Sequence, residues 1–232
     1  RKCGSSQQAV HFAVQAISSG TNDVVVAGGI ESMSRVVMGS ARLDADPYGI
    51  KVTERFAPGL VSQGVASELV SAKWKVSRAE LDSYAAESHR RASATLESGR
   101  FDRETIDVTT PRGVFSRDET VRPESSPESL AELPSVFRTD ELAERFPEAE
   151  WSTTAGNSSQ ITDGASALLL MSAERARELE LRPRARVRAM VAVGDDPLLM
   201  LTATIPATHK VLRLAGLTMS DIDHVELNEA FA

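Results

Sequence analysis

Apolar side chains at Ala9, Phe12, Ala13, Ala16 and Ile17 recur at the i, i+3, i+4, i+7, i+8 spacing of one helical face. Gly20 stands where such a helix would stop. The run Val24-Val25-Val26-Ala27 follows, unbroken by polar residues, and predicts a strand buried on both faces and closed by Gly28-Gly29. Residues 35–58 carry little periodicity, and Asp44, Asp46, Pro47, Tyr48 and Gly49 predict exposed turns. Val61, Val65 and Leu69 then share a helical face. Gly64, in their midst, weakens a helix by about 1 kcal/mol relative to alanine, so close packing is expected there. Ser77-Arg78-Ala79-Glu80 is a capping box that opens a long helix ended by Gly99. Leu81, Tyr84, Ala85, Ser88, Ala92 and Leu96 are expected to face inward. His89, among Glu87, Arg90 and Arg91, is expected on the solvated side.

The second half of the chain is less regular. Residues 105–109 alternate like a strand. Residues 116–151 turn acidic and rich in Ser and Pro; 123–129 read as a surface loop, 128–133 and 140–146 as short helices, and 138–151 as an exposed insertion. Residues 167–171 predict a buried strand and 173–179 a helix. Residues 185–193 predict a strand with Arg186 and Arg188 toward water and Val187, Ala189 and Val191 inward. A helix from Pro206 through Leu214, stopped by Gly216, and a short strand over 224–227 complete the chain. Strands alternating with helices point to the α/β class.

Composition narrows the chemistry. The chain has 232 residues, a net charge of −7 and one cysteine. No Lys/Arg cluster marks a nucleic-acid surface. No apolar run approaches the ~20 residues of a membrane span, and no signal peptide is visible. A lone cysteine forms no internal disulfide and no cysteine-built zinc site. A cytoplasmic setting with no nucleic-acid, membrane or metal partner is therefore expected. Cys3 precedes Gly4-Ser5-Ser6 at the entrance of the first helix, where free N–H groups and the dipole favour an anion. That location is expected to raise the thiolate fraction. By residue type alone, a small inert core cysteine fits as well.

Three stretches carry a resemblance. They are Cys3-Gly4-Ser5-Ser6-Gln7-Gln8-Ala9 with the run Gly28-Gly29-Ile30-Glu31-Ser32-Met33-Ser34; Thr154-Ala155-Gly156-Asn157-Ser158-Ser159; and Asn228-Glu229-Ala230-Phe231-Ala232. Together they resemble the thiolases, the 3-ketoacyl-CoA thiolases and acetyl-CoA acetyltransferases. The resemblance implies a layered αβαβα thiolase fold with an inserted, mostly helical lid. The expected division is 1–34 for the end of the N-terminal domain, 35–154 for the lid, and 155–232 for the first part of the C-terminal domain. It also implies an acyl-cysteine mechanism with Cys3 as nucleophile. Asn228 would hold an oxyanion-hole water, Arg122 would pack on the adenine end of coenzyme A, and Ala155, Ser158 and Ser159 would touch the pantetheine. Met200 would line the substrate channel, and Phe231 would border the acyl pocket. Read without the resemblance, Arg122 balances its acidic neighbours in water, and the serine loop is a turn-rich loop with no ligand.

Coenzyme A would be a substrate, with no other cofactor, and a homodimer or homotetramer is expected. The chain departs from the family pattern in places. Ser62-Gln63 stand where short-chain members often have His-Met, and Leu201-Thr202-Ala203-Thr204 fills two glycines common in the family. Both changes lean toward a degradative enzyme with a longer or bulkier acyl group. Thiolases also use a Gly-His-Pro histidine and a second cysteine. None of His11, His89, His209 and His224 lies in such a motif. The chain is therefore expected to be an internal part of a longer protein, without turnover by itself. A ketoacyl synthase-type condensing enzyme and a non-catalytic coenzyme A-binding relative are the alternatives.

Overall fold

The computed structural model describes residues 2–43 and 45–232; the turn expected at Asp44 lies outside them. In chain order the elements are α1 (Ser5–Ser18), β1 (Val24–Ser32), α2 (Gly49–Arg55), α3 (Gln63–Trp74), α4 (Arg78–Glu97), β2 (Val108–Thr110), β3 (Gly113–Phe115), α5 (Pro127–Ala131), α6 (Asp140–Arg145), β4 (Asp163–Met171), α7 (Ala173–Glu178) and α8 (Thr204–Ala215). They gather into two compact units. One comprises residues 1–49, 161–193 and 204–224, the other 50–160, 194–203 and 225–232.

In the first unit β1 and β4 form an antiparallel pair, from Val24 opposite Met171 to Ser32 opposite Asp163. α1 packs on β1, with Ala13 and Ala27 buried. Short side chains let the helix approach the sheet closely. Gly28 and Gly29 do not close the strand as expected; β1 runs through both. A Cβ on Gly28 would lie 2.1 Å from the Ser166 carbonyl oxygen, and one on Gly29 2.0 Å from the Ser6 hydroxyl. The glycine pair therefore serves close approach on two sides.

Neither strand is buried on both faces. Val26 and Ile30 of β1 are 69% and 80% exposed, and Leu168 and Leu169 of β4 are exposed as well. The apolar run was read as two covered faces, but α1 covers one. Phe12 also departs from the expected inward face of α1 and is exposed. Residues 185–193 form no ladder and stay irregular. Val187, Ala189 and Met190 instead line a cleft of about 420 Å³ with Ser6, Val10 and His11 of α1.

The core of the second unit is built by α3 and the 146–151 segment. Val61, Val65, Ala66, Leu69, Phe146, Ala149 and Trp151 form one buried cluster, with Phe137 and Leu198 to Leu201 packed against it. This overturns the reading of 138–151 as an exposed insertion. Phe146, Ala149 and Trp151 anchor it among its charged residues, and the Arg145 guanidinium donates to the Gly59 carbonyl at 2.6 Å. Ser62 caps α3 by accepting from the Val65 N–H. The capping box at Ser77 and Glu80 starts α4 as its sequence requires. Elsewhere in this unit a short helix, α2, occupies part of the stretch read as irregular. The strand expected over 105–109 begins at Val108 and pairs in a hairpin with β3. Residues 224–227 form no strand.

Gly64 justifies its expected tight packing: a Cβ there would sit 2.3 Å from the Phe137 ring. Phe137 in turn meets Phe231 edge to face, with centroids 6.0 Å apart. Gly64→Ala should therefore destabilise the protein by ~1–3 kcal/mol through overpacking, outweighing the helical preference for alanine. Chemical denaturation of wild type and variant checks this; equal or greater stability of the variant would refute it.

Candidate active site

Cys3 lies in a single 3₁₀ turn, Lys2–Gly4, that leads directly into α1. Its thiol is free and exposed. Gly4 is the N-cap and supplies no side-chain oxygen, so no side-chain cap bond closes the start of α1.

In the second unit, a loop and a motif some seventy residues apart in sequence are brought together. The Ser158 and Phe231 backbones form an isolated antiparallel bridge. Ser159 N–H donates to the Ala230 carbonyl and Ala232 N–H to the Asn157 carbonyl, both at 2.9 Å. Two buried carboxylates support the loop. Glu68 of α3 accepts from the Ser152 and Thr153 N–H groups at 2.9 and 2.7 Å. Asp82 of α4 pairs with Arg78 at 2.6 Å and accepts from the Asn157 amide at 2.9 Å. Asn157 also donates to the Ser152 carbonyl and accepts from the Thr154 N–H.

α4 presents Tyr84, Ser88 and His89 to this junction, around a small polar hollow of about 70 Å³. The Glu229 carboxylate accepts from the Tyr84 hydroxyl at 3.0 Å and from the Ser88 hydroxyl at 2.6 Å. Burial and the Glu229 contact raise the Tyr84 phenol above its ordinary value. His89 Nδ1 accepts from the Arg122 N–H at 3.2 Å. Gln160 stands 3.4 Å from Nε2 of the same ring and donates to the Thr120 carbonyl.

The comparisons with known proteins agree along the whole chain. The sequence model of the thiolase N-terminal domain matches residues 1–174, and that of the thiolase C-terminal domain residues 181–232. The chain belongs to the thiolase family. It is 43% identical over 240 residues to a steroid 3-ketoacyl-CoA thiolase of Mycobacterium tuberculosis, covering all of this chain and 56% of that protein. It is 43% identical over 237 residues to a 3-ketoacyl-CoA thiolase of Aeromonas salmonicida, covering all of this chain and 58% of that protein. Among solved structures, an acetyl-CoA acetyltransferase from Syntrophomonas wolfei superposes with a TM-score of 0.80 at 31% identity, over 99% of this chain and 58% of that one. The dimeric peroxisomal thiolase of Saccharomyces cerevisiae gives 0.85 at 31% identity, over 99% and 56%. The α/β thiolase fold follows. The chain spans a little over half the length of these relatives.

The residues that the thiolase resemblance singled out fall as follows. Cys3 belongs to the first unit. In the second unit, Ala155 and Ser159 are exposed in the loop, and Ser158 turns its hydroxyl to the Thr154 carbonyl at 2.6 Å. Arg122 is exposed, with its backbone tied to His89. Phe231 is half-buried against Phe137. Met200 is half-buried beside the apolar cluster, and its N–H donates to the Asp196 carbonyl. The Asn228 side chain is exposed. His89 is the correction: it is half-buried and bonded, because Arg122 and Gln160 fold over the face of α4 that its charged neighbours had made look solvated. Tyr84 and Ser88 were read as inward-facing, but Tyr84 is 50% exposed, and Glu229 was read only as a motif letter; their meeting gave no local signal beyond the i, i+4 spacing of Tyr84 and Ser88.

Asn157→Ala strips partners from Asp82, the Ser152 carbonyl and the Thr154 N–H together, and should cost at least ~2–3 kcal/mol; a denaturation midpoint equal to wild type would contradict it. Burial, then the Arg122 charge, lowers the His89 imidazole from its ordinary value, against a smaller opposing pull from Glu124 and Glu229. The unfolded chain therefore takes up the proton more readily than the folded one. The stability that His89 contributes is complete above ~pH 6.5 and is lost as pH falls through the lowered value. Thermal midpoints measured against pH should fall on acidification, and His89→Asn should flatten that part of the curve.

Proposed function

We propose that this chain carries the nucleophile of an acyl-CoA C-acyltransferase that cleaves 3-ketoacyl-CoA thiolytically. The observation that carries this reading is the free, exposed Cys3 thiol at the uncapped entrance of α1, in a chain 43% identical to proteins named 3-ketoacyl-CoA thiolases. The Cys3 thiolate attacks the 3-keto carbon. The Cα–Cβ bond breaks, its electron pair leaves with the acetyl-CoA enolate, and the enolate takes a proton. The acyl group remains on sulfur as a thioester. A second coenzyme A loses its thiol proton, attacks the thioester and releases the Cys3 thiolate. Two half-reactions of this kind give ping-pong kinetics.

In this reading Asn228 orients a water toward the developing oxyanion; an amide suits that task because it does not titrate. Arg122 stacks on the adenine, and Ala155, Ser158 and Ser159 border the pantetheine. Met200 lines the substrate channel, and Phe231 borders the acyl group. Coenzyme A is substrate and no further cofactor is required. The relative named for a steroid substrate supports a bulky acyl group, as do the filled glycine positions. The solved relative described as dimeric supports a homo-oligomer.

The test is acylation of the full protein with acetyl-CoA, read by peptide mass spectrometry. One acetyl group is expected on Cys3, and none after Cys3→Ser. An unlabelled wild-type Cys3, or label that persists in the variant, would overturn the proposal.

A further inference from the structure

The Asn228 side chain is exposed and makes no hydrogen bond among the described residues. The residues before it, 224–227, are irregular and exposed. The next residue, Glu229, is held twice: its two carboxylate oxygens take the Tyr84 and Ser88 hydroxyls one each, at 3.0 and 2.6 Å. Both donors stand one turn apart on α4, a twenty-residue helix started by a complete capping box. Beyond Glu229, Ala230 and Ala232 are tied to the loop by backbone bonds. Glu229, Ala230 and Ala232 are thus all tied to α4 or to the loop.

We propose that Glu229 is a positioning residue, which clamps onto Tyr84 and Ser88 of α4 and thereby sets the direction of the Asn228 amide. This rests on the role proposed for Asn228 above, and deepens it. Hydroxyl-to-carboxylate bonds are among the stronger and more directional kinds. A neighbour held in two places loses most of its freedom to rotate about the backbone, so the main chain from which the Asn228 amide projects is held with it. Orientation of a catalytic group governs the rate of the chemical step more than the binding of substrate.

The full protein is used, with three readouts. Glu229→Ala, and separately the double variant Tyr84→Phe with Ser88→Ala, should slow acylation by roughly ten-fold or more, with KM for the acyl-CoA changed less than about two-fold. Glu229→Gln should recover most of that loss, because both hydroxyls can turn to meet an amide. In an Asn228→Ala background, Glu229→Ala should add less than about a further two-fold, since the two act as one. The side-chain amide of Asn228, followed by NMR, should go from one orientation to several when the clamp is removed. A merely structural role would raise KM and lower kcat together and would add its effect in the Asn228→Ala background; either result overturns the proposal. An Asn228 amide that keeps one orientation in Glu229→Ala overturns it as well, whether or not the protein acylates. Failure of wild-type acylation alone sinks the acyltransfer reading and leaves the NMR result to decide the clamp.

Discussion

Glu68 and Asp82 are each only 1% exposed, and the shape of the second unit depends on how their carboxylates are satisfied. A buried carboxylate without partners would be prohibitively costly. Each is instead met by donors from one short stretch, the Ser152 and Thr153 backbones and the Asn157 amide. Charge-assisted bonds of this type contribute ~1.5–3 kcal/mol each. The two acids therefore act as fixed posts on α3 and α4, and the Thr154–Ser159 loop is drawn over them. Once that loop is placed, the Asn228–Ala232 segment can bridge to it, and His89 and Glu229 meet their partners.

The same economy of space operates where glycine is required. In the first unit Gly28 and Gly29 let β1 lie against the Ser166 backbone and the Ser6 hydroxyl at distances no side chain permits. That closeness presses the start of α1 onto the strand and leaves Cys3 just ahead of it, at an exposed helix entrance. In the second unit Gly64 makes room for the Phe137 ring, which in turn supports Phe231. Residues with no side chain thus position the groups that have chemistry.

The departures from the sequence reading share a cause. Periodicity reports which side chains would prefer burial, and says nothing of whether a partner layer is at hand. The apolar runs of β1 and β4 were read as covered on both faces; among the described residues α1 covers one. Residues 138–151 look polar when counted, yet Phe146, Ala149 and Trp151 are enough to anchor them in the core. His89 looked solvated because its sequence neighbours are charged, while the groups that enclose it, Arg122 and Gln160, come from distant loops.

What the sequence by itself determined is local or motif-borne. The capping box of α4, the helices at 5–18, 127–131, 140–145 and 173–178, and the family-bearing stretches around Cys3, Asn157 and Asn228 were all legible from neighbours a few residues apart. Capping and amphipathic spacing act within one or two turns, so they leave a readable trace. The tertiary structure alone decided which donors satisfy Glu68 and Asp82, across separations of 84, 85 and 75 residues, and that Tyr84 and Ser88 grip Glu229. A hydrogen bond between distant residues depends on where the packed helices deliver its two ends, and no local pattern records that.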